Sequence, residues 1–144
     1  MDKSYWNNFY KAVSADKKTF TEVDGRVLGA PKDESPFARF CLTNLMKDVG
    51  TIVDVGCGNG RDSFFFSKSG VSCLGIDQSP EVINNNNSIC LAANVEPFFQ
   101  AGDFSSFSFD SVEDDNVSIY SRFTLHAINY EEEKKLINHL KDQK

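Results

Sequence analysis

Long apolar runs are missing from this 144-residue chain. None approaches the roughly 18 residues needed to cross a bilayer, and the charged amino-terminal stretch lacks the continuous apolar core of a signal peptide. Glycine and proline are sparse as well, at nine and four residues, which excludes a fibrous or linker-like chain. We therefore expect a soluble, cytoplasmic protein of one domain, residues 1–144, with no membrane partner.

Positive charge is also in short supply. The chain has 15 Lys and Arg against 21 Asp and Glu, which gives a formal net charge of −6. This balance disfavours broad electrostatic attraction to nucleic acid, because a polyanion would need a local basic patch. We expect no nucleic-acid partner, and a small molecule is the better candidate ligand.

Motifs for metal binding and redox chemistry are absent too. The four cysteines stand 16 or 17 residues apart, without a C-x-x-C pair and without a close His. Structural zinc sites and redox-active pairs need closely spaced ligands. We expect no metal site and interpret the cysteines as buried, reduced thiols: Cys41, Cys57, Cys73 and Cys90.

What the chain does have is an alternation of strand and helix patterns. Apolar runs predict strands at TIVDV (51–55), SCLGID (72–77), within VEPFFQAGDF (95–104) and at NVSIYSRF (116–123). Pro97 removes one ladder donor, so the third strand is expected at an edge. Helices are predicted over 37–49, 61–70, from Ser79 and Pro80 onward, and over 131–144. We therefore predict an α/β, Rossmann-like three-layer sandwich with a mostly parallel sheet, of which four strands are present.

The composition of the chain changes near residue 40. Residues 1–39 mix aromatic and charged side chains and are interpreted as an N-terminal helical lid, whereas 40–144 form the core. The helix at 37–49 is expected to have one apolar stripe, formed by Phe37, Phe40, Cys41, Leu45 and Met46. Residues 64–66, all Phe, are expected to face the sheet. The four asparagines at 84–87 are interpreted as a polar helix face or a frayed turn, and His139 as a solvated side chain.

A glycine-rich turn follows the first predicted strand directly. Gly56, Gly58 and Gly60 alternate there, and glycine lets the backbone turn sharply and leaves no Cβ between the loop and a ligand. A tight structural turn without a ligand is the alternative. A dinucleotide site would have G-x-G-x-x-G, but position 61 is Arg61. Asp54 would oppose a diphosphate and suit a ligand that has a sulfonium and an ammonium group.

These residues are similar to a known family motif. The pattern D-x-G-x-G-x-G, which begins at Asp54, resembles the first motif of class I S-adenosylmethionine-dependent methyltransferases. The resemblance implies S-adenosylmethionine as cofactor and S-adenosylhomocysteine as product. Asp77, 21 residues after Gly56, matches the acidic residue that accepts hydrogen bonds from both ribose hydroxyls in that family. Outside that context, Asp77 would be interpreted as an ordinary helix-start residue.

Later segments extend the resemblance. Gly102-Asp103-Phe104 looks like the family's adenine motif, and residues 120–128 resemble the S-R-F-x-L-H-A-I segment of some bacterial small-molecule methyltransferases. The SPFAR stretch at 35–39 resembles the leading helices that cover the cofactor there, so that Arg39 would reach the cofactor carboxylate; an exposed helical arginine is the alternative. The implied cofactor-binding residues are Asp54, Gly56, Cys57, Gly58, Asp77, Gln78, Asp103, Phe104, Ser121 and Arg39.

Two side chains are candidates for catalysis. Methyl transfer from a sulfonium is an in-line displacement, so the protein must mainly hold donor and nucleophile in line. His126 is the candidate base for a hydroxyl or amine acceptor, although a lone His is often a packed or capping residue. Arg122, four residues earlier and on the same face if the segment is helical, would bind an anionic acceptor or the cofactor carboxylate.

The resemblance accounts for only four of the seven strands that the family's sheet commonly has. The fourth strand is then an open edge, and such edges invite pairing. We expect a shortened chain that forms a homo-oligomer or is completed by another chain at the strand-four edge. Two rivals stay open: a module that binds S-adenosylmethionine or S-adenosylhomocysteine without turnover, and, more remotely, a nicotinamide-dependent reductase.

Overall fold

The computed structural model describes most of the predicted core and none of residues 1–33. The predicted lid therefore lies outside the described residues, apart from its last six. So do the site candidates Phe104 and His126. The described residues are 34–96, 98–103, 106–108, 112–113, 116–122, 124 and 128–142.

Helices and strands alternate along most of the described chain, as predicted. Each strand lies within the segment expected for it, and because the strands are parallel, the chain returns to the opposite end of the sheet after each one. The elements are α1 (Pro36–Asn44), β1 (Thr51–Val55), α2 (Arg61–Lys68), β2 (Ser72–Asp77), α3 (Pro80–Ala92), β3 (Phe99–Ala101), β4 (Val117–Tyr120) and α4 (Tyr130–Asp142).

The four strands form one parallel sheet in the order β3-β2-β1-β4. β1 lies in the interior, and all five of its residues are buried. β3 and β4 are the two edges among the described residues, which confirms the edge position expected for the third strand. The α/β, Rossmann-like fold class is confirmed.

Helix starts follow the capping signals in the sequence. Ser35 caps α1, because its Oγ accepts a hydrogen bond from the backbone N–H of Ala38, and Pro36 follows as the first helical residue. Asn129 and Glu132 form a reciprocal capping box at the start of α4, with both hydrogen bonds at 3.0 Å. These caps fix where α1 and α4 begin, whereas α2 begins after Gly60 and α3 after Ser79 without a side-chain capping hydrogen bond.

Apolar side chains fill both sides of the sheet, as a three-layer sandwich requires. Because neighbouring residues of a strand point to opposite faces, Ile52 packs with Phe66 on the side of α1 and α2, while Val53 and Val55 pack on the side of α4 around Leu136. All four cysteines are buried and free, as expected. No helix within the described residues is both long and apolar enough to span a membrane.

Two expectations about apolar helix faces need correction. Phe66 is fully buried, but Phe64 and Phe65 are only partly buried, because successive helical residues are turned by about 100° and three in a row cannot share one face. In α1, Ala38 and Cys41 are buried, whereas Phe37 and Phe40 are exposed within the described structure, as is Leu45 directly after the helix.

The asparagine tract and His139 also differ from expectation. Asn86 is completely buried, and the Asn87 side chain bonds to both the N–H and the carbonyl oxygen of Phe99. The tract is therefore an ordered part of α3 that holds β3. His139 is half-buried against Phe107, with Nε2 2.7 Å from the Phe107 carbonyl oxygen, rather than solvated.

Candidate functional site

The glycine turn occupies residues 56–60, between the end of β1 and the start of α2. Gly56, Gly58 and Gly60 all have positive φ, at 77°, 54° and 75°, which residues other than glycine rarely adopt. The N–H groups of Gly56 and Cys57 both donate to the Ile76 carbonyl oxygen, at 2.8 and 3.0 Å. The turn is thus fixed to the carboxyl end of β2. Open α/β folds bind ligands at the carboxyl ends of their strands.

Two of the glycines make room for side chains of the protein itself. A Cβ on Gly56 would lie 2.1 Å from Thr124 Oγ1, and one on Gly60 would lie 2.7 Å from the Phe99 ring. The expectation that the absent Cβ at position 56 leaves space for a ligand is therefore wrong, because Thr124 takes that space. Glycine is needed there for close packing as well as for backbone conformation.

Asp77 ends β2 beside the turn. Its Oδ2 accepts the N–H of Gly58 and its Oδ1 accepts the N–H of Ser79, both at 3.0 Å. Burial raises the pKa of this carboxyl above its ordinary value, while the backbone donors oppose the shift. The backbone of Gln78 is a third donor to this carboxyl. A carboxylate has about four lone-pair sites, so these donors orient Asp77 and still leave some acceptor capacity for the hydroxyls of a ligand.

Asn86, which the sequence did not single out, completes this side of the turn. Its Nδ2 reaches from α3 to the Gly58 carbonyl oxygen at 2.8 Å. Gly58 is therefore held through its N–H by Asp77 and through its carbonyl by Asn86. The buried asparagine is 28 residues from Gly58, and a run of four asparagines gives no local signal that one of them faces inward.

Asp54 was expected to present a negative charge to a ligand, and the structure places it elsewhere. It is buried, and Oδ2 accepts a hydrogen bond from Ser63 Oγ at 2.7 Å. Burial raises the pKa of the carboxyl to about 7, although the Ser63 hydroxyl opposes the shift. Asp54 therefore does not present its carboxyl to a ligand as expected, because that carboxyl is buried and bonds to α2.

Asp62 forms a second cluster on the other side of the turn. Its carboxylate accepts the N–H and the Oγ–H of Ser35, both at 2.8 Å, the Tyr120 hydroxyl at 2.7 Å and Arg122 Nε at 3.0 Å. Burial raises the pKa of Asp62, but these donors outweigh it and bring the pKa below its ordinary value. Sequence patterns did not identify Asp62 as a site residue, because its hydrogen-bond partners are 27 to 60 residues away in the chain.

Arg122 and Ser121 follow β4 and lie near this cluster. Arg122 is in a bend rather than a helix and forms an ion pair with Asp62. Arg122 and His126 were expected on one face only if the segment is helical, and at Arg122 it is not. The Ser121 hydroxyl donates to the Val55 carbonyl oxygen at 3.0 Å, and Thr124 Oγ1 donates to the same oxygen at 2.9 Å. The segment after β4 is thereby tied to the end of β1.

The remaining candidates divide between the turn and the surface. Asp103 lies two residues beyond β3 and Gln78 one residue beyond β2, both at the edge that holds the turn, and Cys57 is buried within it. Arg39 is exposed on α1, pairs with Glu34, and lines a surface cavity of about 410 Å³. The structure thus groups the turn residues with Asp77, Gln78, Asp103 and Ser121, while Arg39 pairs with Glu34.

Comparisons with known proteins identify the family and the fold. A protein-family model described as a methyltransferase domain matches residues 52–143. A search of curated proteins found no match. Among solved structures, a SAM-dependent methyltransferase from Anabaena variabilis is similar at a TM-score of 0.70 and 17% identity, over 96% of this chain and 56% of that one.

Two further structures are similar to a comparable extent. One comes from work on the conversion of a disulfide bond into a thioacetal group during echinomycin biosynthesis, with a TM-score of 0.69, 19% identity, and coverage of 93% of this chain and 54% of that one. The other is the glycopeptide N-methyltransferase MtfA complexed with sinefungin, with a TM-score of 0.64, 20% identity, and coverage of 89% and 52%. The chain spans about half the length of these structures, and at such identities the likeness shows the fold.

Proposed function

Because the chain belongs to the methyltransferase-domain family, we propose that it binds S-adenosylmethionine at the glycine turn and transfers the methyl group to a small-molecule hydroxyl or amine. The family and the Rossmann-like fold support methyl transfer from this cofactor. The acceptor class rests on the acidic balance of the chain and on the resemblance of residues 120–128. A cytoplasmic location is part of the same proposal.

The observation that carries the proposal is the placement of Asp77. Backbone N–H groups from the turn and from residues 78 and 79 before α3 hold its carboxylate at the carboxyl ends of the strands, where open α/β folds bind ligands. Its unused lone pairs suit the two ribose hydroxyls of a nucleoside. This cradle fits S-adenosylmethionine, which would supply an electrophilic methyl group on its sulfonium.

The other residues have proposed roles around this anchor. Asp103 and Phe104 would contact the adenine, and Cys57, Gln78 and Ser121 would line the site between the strand ends. Asp54, although it bonds to Ser63, stays among the proposed cofactor residues. Arg39 is proposed for the cofactor carboxylate; its present partner is Glu34.

Catalysis is assigned to two residues after β4. His126 is proposed to accept the acceptor's proton around the time of transfer. Arg122, whose Nε is held by Asp62, is proposed to orient an anionic acceptor or the cofactor carboxylate.

Calorimetry tests the cofactor directly. We expect the chain to bind S-adenosylhomocysteine and not NAD⁺ or NADH. If the chain binds NAD⁺ or NADH and not S-adenosylhomocysteine, it is a candidate nicotinamide-dependent reductase instead. If S-adenosylhomocysteine binds, release of methylated product from small hydroxylated or amino compounds separates an enzyme from a binding module.

The second candidate is a cofactor-binding module that needs a partner chain for turnover. The exposed edge of β4 favours it: β4 pairs on one side with β1 within the described sheet, and Ile119 is 39% exposed. We propose that a second copy or a complementing chain covers this edge. Light scattering after gel filtration should then show a species larger than a monomer, and a monomer with full turnover would contradict the idea.

A further inference from the structure

The peptide groups on both sides of Gly58 are fixed from different elements. Asp77, at the end of β2, accepts the Gly58 N–H at 3.0 Å, and Asn86, in the middle of α3, donates to the Gly58 carbonyl oxygen at 2.8 Å. Gly58 has a φ of 54°, which glycine adopts readily. Because glycine has no side chain, its own contacts do not hold the backbone in this conformation. The two hydrogen bonds together therefore determine how this part of the turn is oriented.

Asn86 itself is an unusual residue to find at this place. It is completely buried in α3, and its Oδ1 has no hydrogen-bond partner among the described residues. Buried polar atoms are nearly always paired, and an unpaired one lowers stability. What the side chain does provide is the bond from Nδ2 to Gly58, so the role of Asn86 lies in the turn rather than in the packing of α3.

We propose that Asn86 is a positioning residue of the cofactor site: by holding the Gly58 carbonyl, it keeps the Gly58 N–H aimed at Asp77 and so keeps the Asp77 carboxylate in place for the ribose hydroxyls. The inference rests on the proposed function, because it concerns the same site. Asn86 acts through Gly58 and Asp77 and, being fully buried, does not contact the ligand.

The variant Asn86→Asp turns this contact into a pH-dependent one. When protonated, the introduced carboxyl donates to the Gly58 carbonyl as asparagine does, whereas the ionised carboxylate can only repel that oxygen and the Asp77 carboxylate. The ionisable side chains on β2 and the turn beside α3 are Cys73, Asp77 and Cys57; on α3 itself they are Glu81 and Cys90. Because Asp77 has a raised pKa of its own, each variant is compared with the unaltered chain at the same pH.

Asn84→Asp is the matched control, since Asn84 lies on the same helix but is exposed. The dissociation constant of S-adenosylhomocysteine is measured by calorimetry at pH 5.5 and pH 8.5. We expect Asn86→Asp to bind almost as the unaltered chain does at the lower pH and about tenfold more weakly at the higher pH. Asn84→Asp should follow the unaltered chain at both. A folded Asn86→Asp that behaves like Asn84→Asp overturns the proposal.

A second variant and a local measurement guard against misfolding. Asn86→Ala should weaken S-adenosylhomocysteine binding about tenfold at both pH values. Amide hydrogen exchange should quicken at Gly58, while Gly75, whose N–H bonds to the Phe98 carbonyl at 3.0 Å, keeps its protection. Loss of the fold in both variants would also overturn the proposal, because Asn86 would then be a structural residue.

The outcomes separate this inference from the proposed function. If the unaltered chain does not bind S-adenosylhomocysteine, the proposed function fails and the inference fails with it. If the unaltered chain binds while both Asn86 variants bind equally well, the inference alone fails.

Discussion

Asp77 and Asp62 are buried carboxylates on opposite sides of the glycine turn, and their partners differ. Asp77 is held by backbone N–H groups, those of Gly58 and Ser79 among them, and burial raises its pKa. Asp62 accepts four hydrogen bonds, one of them from the Arg122 cation, and its pKa is lowered. The protein satisfies one carboxylate fully and orients the other while leaving part of its acceptor capacity unused.

The difference separates a structural carboxylate from a ligand-binding one. The protein donors that surround Asp62 join the start of α1, the end of β4 and the first turn of α2. Asp77 is buried without a cation, so bonds from a ligand's hydroxyls would compensate its desolvation. Substitutions at the two positions should therefore affect different quantities, stability at Asp62 and affinity at Asp77.

The largest expected effect is on stability at Asp62. Asp62→Ala should lower the free energy of unfolding by about 3 kcal/mol, because it leaves Ser35 and Tyr120 without their acceptor and Arg122 without its anion; Arg122 is part-exposed, which moderates the loss. Chemical denaturation measures it. Asp62→Asn, which keeps one oxygen acceptor, is the control and should lose less. A loss under about 1 kcal/mol in Asp62→Ala would remove the distinction between the two carboxylates.

The next effect is on affinity at Asp77. Asp77→Ala should weaken S-adenosylhomocysteine binding by roughly 1 to 3 kcal/mol, because two hydrogen bonds to a charged acceptor are lost. Its stability should change less than that of Asp62→Ala, since the removed carboxylate is buried without a cation. Calorimetry and denaturation on the same samples measure both. Unchanged affinity would refute the ribose-binding role.

The smallest effect concerns Asp54, a third buried carboxyl that bonds to Ser63. The pKa of this carboxyl is 3.8 in an unperturbed aspartate and about 7 in the folded protein. At pH values between about 4 and 7, folding is therefore accompanied by uptake of a proton. Stability contributed at low pH is thus lost as the pH rises from about 4 to 7. The free energy of unfolding of Asp54→Asn, relative to that of the unaltered chain, should rise by on the order of 1 kcal/mol from pH 6 to pH 7.5.

Thermal unfolding at several pH values measures this difference. The exposed Asp48, changed to Asn, is the control and should show no such gain. A constant difference between Asp54→Asn and the unaltered chain across the range would show that Asp54 is already ionised in the fold.

Local patterns predicted the framework and one side of the site. β1, the turn and α2 are contiguous in sequence, and the turn's φ values need glycine, so a short stretch of sequence is enough to identify them. The family resemblance, confirmed at the level of family and fold, then located Asp77 at the end of β2. Roles for His126 and Phe104 stay predictions.

The contacts that sequence reasoning missed are those between distant segments. Asp62 meets Ser35, Tyr120 and Arg122 only because α1, β4 and α2 converge at one end of the sheet. Asn86 faces inward because of the rotation of α3, which a run of identical asparagines does not reveal. Thr124 occupies the space beside Gly56 for a similar reason: the chain returns there after β4.

The Phe99 ring links positions that no local motif connects. A Cβ on Gly60 would lie 2.7 Å from this ring and one on Gly75 would lie 2.5 Å from it, so the two glycines form a slot for one aromatic side chain. Gly60 is also held to glycine by its positive φ, so a smaller residue at 99 would relieve the clash at position 75 but not the backbone strain at position 60. Across related chains, positions 75 and 99 should accordingly vary as a pair while position 60 stays glycine, and an engineer who alters one of the pair should redesign the other.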